Sequence, residues 1–194
     1  MDKISYSLGV SVGMNLKEQG FELESLNDFS KGLESALKGA DLEMDLDTIN
    51  NIIRDYFNEM QQKRHAEILE MQNQFFAENA KKEGVITLES GLQYEIIAEG
   101  AGEKATIDST VTTHYHGTLL DGKVFDSSVQ RNEPASFPVN GVILAWQEAL
   151  QLMPVGSKWK LYVPSELAYG AQGAGNMIGP HTPLIFEVEL ISIN

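Results

Sequence analysis

The amino-acid sequence predicts an α+β protein, an all-α first part followed by antiparallel strands that one short helix interrupts. Three observations carry this. No proline occurs from Lys3 to Gly84, and the apolar residues there recur at helical steps. The run from Val111 to Ser128, VTTHYHGTLLDGKVFDSS, reads as strand, Asp-Gly turn and strand. Further on, Trp159, Leu161 and Val163, then Leu184, Phe186, Val188 and Leu190, fall at every second position, the period of a strand with one buried face.

The first helix is expected at about Ile4 to Glu18, with Tyr6, Val10, Gly13 and Met14 along one stripe. The second runs from about Asp28 to Lys38, with Phe29, Leu33, Ala36 and Leu37, and Gly20 and Gly39 sit where helices end. A third begins at Asp45 or Asp47, either able to cap it, and continues to about Glu83, roughly 55 Å at 1.5 Å per residue. Its first half carries Ile49, Ile52, Ile53, Tyr56, Phe57 and Met60 and is expected to be buried. After QQKRHAE the second half, with Ile68, Leu69, Met71, Phe75 and Phe76, is expected to be mostly exposed. Two short helices and half a long one offer a thin core, so a homodimer through residues 1–84 is the economical arrangement, with residues 85–194 as the second domain.

In the strand part, a two-residue loop at Asp121-Gly122 would pair Leu119 with Val124 and Gly117 with Asp126. That sets a carboxylate beside Tyr115, which shares the inner face with Val111, Thr113, Gly117 and Leu119. The same parity turns Phe125 away, so a cavity using both Phe125 and Asp126 requires a bulge or a strand end. FPVNGVILAWQEAL then passes from an extended piece through Asn140-Gly141 into a short helix that points Trp146 inward. The glycine-rich stretch from Gly170 to Gly179 is bordered by Tyr169 and contains Met177 and Ile178, which is unusual for a purely solvated connection.

Composition bounds the function. The chain has 194 residues, 42% of them hydrophobic, and a formal charge of −14 from 14 basic and 28 acidic residues. That balance argues against nucleic acid or an anionic membrane as a main partner. No stretch approaches the ~20 apolar residues of a membrane span, and the N-terminus leads into an amphipathic helix without a signal-type apolar region. The cytoplasm is the expected compartment, a bacterial envelope the alternative if a signal was removed. The absence of cysteine is silent on redox environment. His114 and His116 share a strand face, but no cluster supplies a third ligand, and His65 and His181 lie far off in sequence, so no metal is expected. Ser127-Ser128 lacks a nucleophile elbow, and the late glycines form no nucleotide motif, so no cofactor is expected either.

Taken together, HYHGTLLDGKVFDSS, VILAWQEAL with MPVGSKW, and ELAYGAQG followed by LIFEVEL resemble the FKBP-type peptidyl-prolyl cis-trans isomerases, which bind macrolide immunosuppressants. The resemblance covers about residues 91–194. It implies a twisted antiparallel sheet wrapped around one short helix, with a pocket that takes a proline ring onto an indole. By motif position it places Tyr115, Phe125, Asp126, Phe137, Val142, Ile143, Trp146, Tyr169, Ile178 and Phe186 around that pocket, and it pairs Arg131 with Asp126. Two positions depart from the family: Ala135 replaces an aromatic residue, and Gly179-Pro180 replaces a proline pair.

The implied reaction makes and breaks no bond. Rotation about an X-Pro peptide bond disrupts amide resonance across a barrier of ~18–20 kcal/mol, and the twisted amide carries less charge separation than the planar one. An apolar surround therefore disfavours the transition state less than the ground state. On this resemblance Trp146, Phe125, Phe186, Ile143 and Val142 desolvate and hold the proline, and the Tyr169 hydroxyl positions a substrate carbonyl. Asp126, held by Tyr115 and Arg131, sets the local field, and a general acid-base role for it is the lesser alternative, since a carboxylate beside a cation ionises readily and rotation needs no proton transfer. Without the motif set, Trp146, Phe186 and Val142 would read as plain core and Arg131 as a surface charge.

SYSLGVSVGMNL and NAKKEGVITLESGLQYEII resemble the macrophage-infectivity-potentiator-like subgroup, in which an N-terminal helical domain dimerises and a long helix carries the catalytic domain. Two functional readings follow: a folding catalyst acting on X-Pro-containing clients, or a dimeric chaperone-like holdase in which the pocket is secondary.

Overall fold

Side-chain caps set the helix starts. In the computed structural model, which describes all 194 residues, α1 (Lys3–Glu18) begins where Asp2 accepts the Ser5 N–H at 2.8 Å. Helix α2 (Leu26–Lys38) begins where Ser25 accepts the Asp28 N–H at 3.2 Å, and it ends on Gly39 in the left-handed region, φ 61°. Helix α3 (Leu46–Asn79) is 34 residues long and starts at Asp45, whose carboxylate accepts the Thr48 N–H at 2.8 Å. It stops at Asn79, short of the expected Glu83, because the chain tightens into turns that close on Gly84 at φ 85°.

Two compact units result, Met1–Phe57 and Asn58–Asn194. In the first, neither α1 nor α2 has a buried residue, and Phe21 packs on Tyr56 and Phe57 with ring centroids 5.6 and 5.0 Å apart.

Along α3 the second half is more buried within the chain than expected. Ile52 and Ile53, on the apolar first half, are 52% and 48% exposed, whereas Gln72 and Asn79 on the second half are buried. Part of the reason is polar. Asn79 donates to Gln93 at 2.9 Å, Gln93 donates to the Phe76 carbonyl at 2.9 Å, and the Gln72 side chain accepts the Ser165 N–H at 2.9 Å. On the same face Ile68, Leu69, Phe75 and Phe76 are half-buried, Phe75 lying 6.0 Å from the Tyr162 ring, so carboxamides that both donate and accept share this face with apolar packing.

The strands are β1 (Val85–Thr87), β2 (Gln93–Ala98), β3 (Thr110–Leu119), β4 (Val124–Ser127), β5 (Ala135–Pro138), β6 (Lys158–Val163) and β7 (Leu184–Ile193). They form one antiparallel sheet in the order β1-β2-β6-β7-β3-β4, with β5 also paired to β3. One turn of helix, α4 (Ser128–Arg131), follows β4, and α5 (Leu144–Leu152) packs into the sheet's concave core. Ala145, Trp146, Ala149 and Leu150 from α5 meet Leu161, Val163, Leu184, Phe186 and Val188 from the sheet. Burial alternates along β3 as its sequence requires, with Val111, Thr113, Tyr115 and Gly117 inside.

The β3–β4 turn differs from expectation. Leu119 N–H donates to the Lys123 carbonyl at 2.9 Å and Gly122 N–H to the Leu119 carbonyl at 3.0 Å, so the loop has three residues, Leu120 to Gly122. Only Gly122 needs positive φ, at 85°, while the Asp121 carboxylate accepts the Lys123 N–H at 2.9 Å. This is a turn with a glycine bulge, and it displaces the expected Leu119–Val124 pair. Gly117 still pairs with Asp126, but Thr118 pairs with Val124, which leaves Phe125 as the extra residue. The bulge that a cavity using both Phe125 and Asp126 demanded is therefore present.

Candidate active site

The bulge in β4, the start of α5 and the first part of the loop after β6 converge on a cavity of about 280 Å³. Trp146 forms its floor, 4% exposed, and three rings meet the indole edge to face: Tyr115 at 5.5 Å, Phe137 at 5.9 Å and Phe186 at 5.4 Å. Such contacts place the positive ring edge against a negative face and fix the indole's orientation. Val142 and Ile143 line the mouth with Gly141, and Tyr169 closes one side.

Of the residues singled out from sequence, Tyr115, Asp126, Phe137, Val142, Ile143, Trp146 and Tyr169 line this cavity. The others stand behind it. Phe125 packs edge to face on Phe186, 5.4 Å between centroids, and Phe186 and Ile178 are buried in the core. Arg131 reaches in from α4. Gly117 is what lets the aromatic pair close: a Cβ there would lie 2.6 Å from the Phe125 ring and 3.0 Å from Phe186.

Polar groups are few and mutually bonded. Tyr115 Oη donates to Asp126 at 2.6 Å, Arg131 Nη1 donates to the other carboxylate oxygen at 2.5 Å, and Arg131 Nη2 donates to Tyr115 Oη at 2.9 Å. Partial burial pushes the Asp126 carboxyl up, but the Tyr115 and Arg131 hydrogen bonds and the guanidinium charge outweigh it, leaving it below the ordinary carboxylate range. Burial and then the bond to Asp126 push the Tyr115 hydroxyl up, so the shared proton stays on Tyr115. Burial, with the Asp126 charge second, also raises Tyr169. At neutral pH the site thus holds one carboxylate, one guanidinium and two neutral phenols.

Three supports escaped the sequence reading. Ser128 Oγ accepts the Tyr115 N–H at 2.7 Å and ties the ring's backbone to α4. Gln147 donates to the Val142 carbonyl at 2.7 Å and holds the cavity mouth. Helix α5 has no side-chain cap at its start; the Trp146 N–H donates to the Ile143 carbonyl at 2.9 Å, and the Leu144 and Ala145 N–H groups remain open beside Val142 and Ile143. A serine following a strand and a glutamine five residues after Val142 carry no signal in one sequence; the missing cap did, since no Ser, Thr, Asp or Asn immediately precedes Leu144. His114 and His116 each bond a serine hydroxyl, Ser128 at 3.0 Å and Ser127 at 2.9 Å. The distant pair, His65 and His181, meets with ring centroids 3.7 Å apart.

Similarity to known proteins follows this geometry. A family described as FKBP-type peptidyl-prolyl cis-trans isomerase matches residues 101–191, and a family described as the domain amino-terminal to it matches residues 1–96. The FKBP-type 22 kDa peptidyl-prolyl cis-trans isomerase of Escherichia coli (strain K12) is 46% identical over 192 residues, 97% of this chain and 93% of that protein. Outer membrane protein MIP of Legionella longbeachae is 41% identical over 199 residues, covering 99% of this chain and 85% of that protein. The crystal structure of FkpA from Escherichia coli superposes with a TM-score of 0.77 at 33% identity, over 99% of this chain and 95% of that one.

Proposed function

The chain belongs to the FKBP-type peptidyl-prolyl cis-trans isomerases and catalyses rotation about the X-Pro bonds of polypeptides, and from that premise we propose how its residues divide the work. Trp146 takes the proline ring, and Tyr115, Phe137, Val142 and Ile143 exclude water around it. Phe125, Phe186 and Ile178 hold those walls in place. The Tyr169 hydroxyl and the open N–H groups at the start of α5 receive substrate carbonyls. Asp126, fixed by Tyr115 and Arg131, supplies a stationary negative charge near the twisting imide. The observation that supports this most is the indole floor clamped by three edge-to-face rings in a cavity with a single carboxylate.

The physical effect is solvent exclusion. A planar imide keeps its charge separation stable through water, and the twisted imide has less to lose when water is removed. Peptide exchange NMR tests the assignment with the full chain, comparing wild type with Trp146→Ala and Tyr169→Phe. Trp146→Ala should slow isomerisation by about tenfold or more, the equivalent of ~1.4 kcal/mol of barrier, and Tyr169→Phe by less. Unchanged rates in both would remove these residues from the mechanism. Macrolide binding belongs to the same cavity under this reading, and the same variants should weaken it.

We propose in addition that residues 1–84 pair two copies of the chain and that residues 85–194 carry the catalysis. Support comes from the first unit, where Ile4, Tyr6, Leu8 and Met14 of α1 are 59% to 73% exposed and nothing within the chain covers them. Gly9 and Gly13, each with open space within 4 Å of where a Cβ would stand, give α1 a face that a second helix can approach closely. For compartment, the bacterial envelope replaces the expected cytoplasm in our reading, because one relative is named an outer membrane protein. No helix of the chain is long and apolar enough to cross a membrane.

A further inference from the structure

A second cavity, of about 660 Å³, lies between the middle of α3 and the loop after Tyr169, and the isomerisation mechanism uses none of its lining residues. Helix α3 contributes the carboxamides of Asn58, Gln61 and Gln62, together with Arg64 and His65; the loop contributes His181 beside Pro180.

Its charge sets it apart from the rest of the molecule. The chain carries 28 acidic residues, yet no Asp or Glu lines this cavity. Arg54 pairs with Asp55, and Arg131 with Asp126. Arg64 is the arginine that remains without a carboxylate partner. Carboxamides offer both donors and acceptors, which suits the backbone of an extended polypeptide, and a guanidinium suits a carboxylate on it.

The position links it to catalysis. Tyr169 lines the proline cavity and Ala171 lines this one, and two residues of chain span at most about 7 Å. A polypeptide seated on Trp146 therefore reaches the second cavity within a few residues of its proline. The lining of the second cavity is held in place: the His65 and His181 rings lie 3.7 Å apart, and His181, at φ 56°, donates its N–H to the Gly170 carbonyl at 2.8 Å.

We propose that this cavity is an accessory client subsite that takes an acidic stretch of polypeptide a few residues from the isomerising proline, with Arg64 reading its charge. The inference rests on the proline-pocket reading given above. Preference for a client would then depend on the flanking sequence as well as on the residue before proline.

The test uses the full-length protein and three peptides with one X-Pro core, carrying Glu-Glu, Gln-Gln or Lys-Lys three to five residues from the proline on both sides. Exchange NMR gives kcat/KM for each. Wild type should favour the Glu peptide over the Lys peptide by about threefold, the range of an exposed ion pair, with the difference in KM because the contact is the same in ground and transition states. The Glu-to-Lys ratio is read within each protein, so any general loss of activity cancels. In Arg64→Gln the ratio should fall to about one and in Arg64→Glu it should invert; in 1 M salt, where the screening length is ~3 Å, the wild-type preference should vanish. Equal kcat/KM for the Glu and Lys peptides in wild type, or a preference that survives Arg64→Glu, overturns the proposal. Failure of the wild type to isomerise even the Gln peptide would instead overturn the proline-pocket reading beneath it.

Discussion

Residues 1–57 and 58–194 are both built from amphipathic elements, yet only the second unit buries what its pattern sets aside for burial. In β7, Leu184, Val188 and Leu190 are 0% exposed, whereas in α1 and α2 no residue is buried and Ile4 and Leu37 are 73% and 79% exposed. A strand finds its neighbours along the same chain and closes a core around one helix. Two short helices and half of a third have too little surface to do so. The comparison teaches that an apolar pattern specifies a face to be covered and leaves open what covers it.

The hardest test of that contrast is Val10→Lys in α1, which a dimer meets twice by symmetry. If a second copy covers α1, the charge would be buried without a partner, and the protein should become monomeric by light scattering at micromolar concentration, while rates on short X-Pro peptides persist. A dimer that survives this change would place the interface elsewhere. Next in size is Asn79→Ala in the second unit. It leaves the buried Gln93 carboxamide without its donor and should cost about 1–3 kcal/mol in denaturant unfolding of that unit. A loss within error would mean that α3 is held there by something other than its buried amides.

Gly117→Ala should cost about 1–3 kcal/mol as well, by overpacking, because the added methyl meets the Phe125 and Phe186 rings directly. It differs from Asn79→Ala in readout. Displacing Phe186 moves the Trp146 floor, so isomerase activity should fall along with stability, whereas Asn79→Ala should leave activity per folded molecule unchanged.

How much of this was legible in the chain depended on whether the governing contact was local. The alternation of β3 and β7 and the Asp45 cap follow from neighbours in sequence, whereas the Ser25 cap went unread and α2 starts two residues earlier than its apolar pattern suggested. The β3–β4 loop was misread by one residue because Asp121 bonds its own turn, which removes the need for a second positive φ. The burial of α3 was misread because hydropathy ignores carboxamides, and Gln72 and Asn79 are buried by hydrogen bonds to residues 93, 165 and 166. The cavity residues were placed by motif resemblance. Their supports, Ser128 and Gln147, act through backbone groups that no single sequence marks.

The smallest expected effect concerns Asp126, whose carboxyl the fold holds below its ordinary range. A depressed carboxylate adds stability that is present above its unfolded pKa, ~3.9, and lost as pH falls through the lower folded value. With its side chain 44% exposed, the pair with Arg131 is screened by solvent and contributes little. The unfolding temperature of Asp126→Asn should therefore sit slightly below wild type from pH 5 to 7, and the gap should start to narrow near pH 4 and close once pH falls below the depressed folded value, where wild type is protonated and resembles the amide. Activity of both proteins should be flat from pH 6 to 8, because neither the carboxylate nor the raised Tyr115 and Tyr169 hydroxyls titrate in that window. A wild-type rate that instead changes tenfold per pH unit there, and stops doing so in Asp126→Asn, would make the carboxylate a proton carrier and replace desolvation as the source of catalysis.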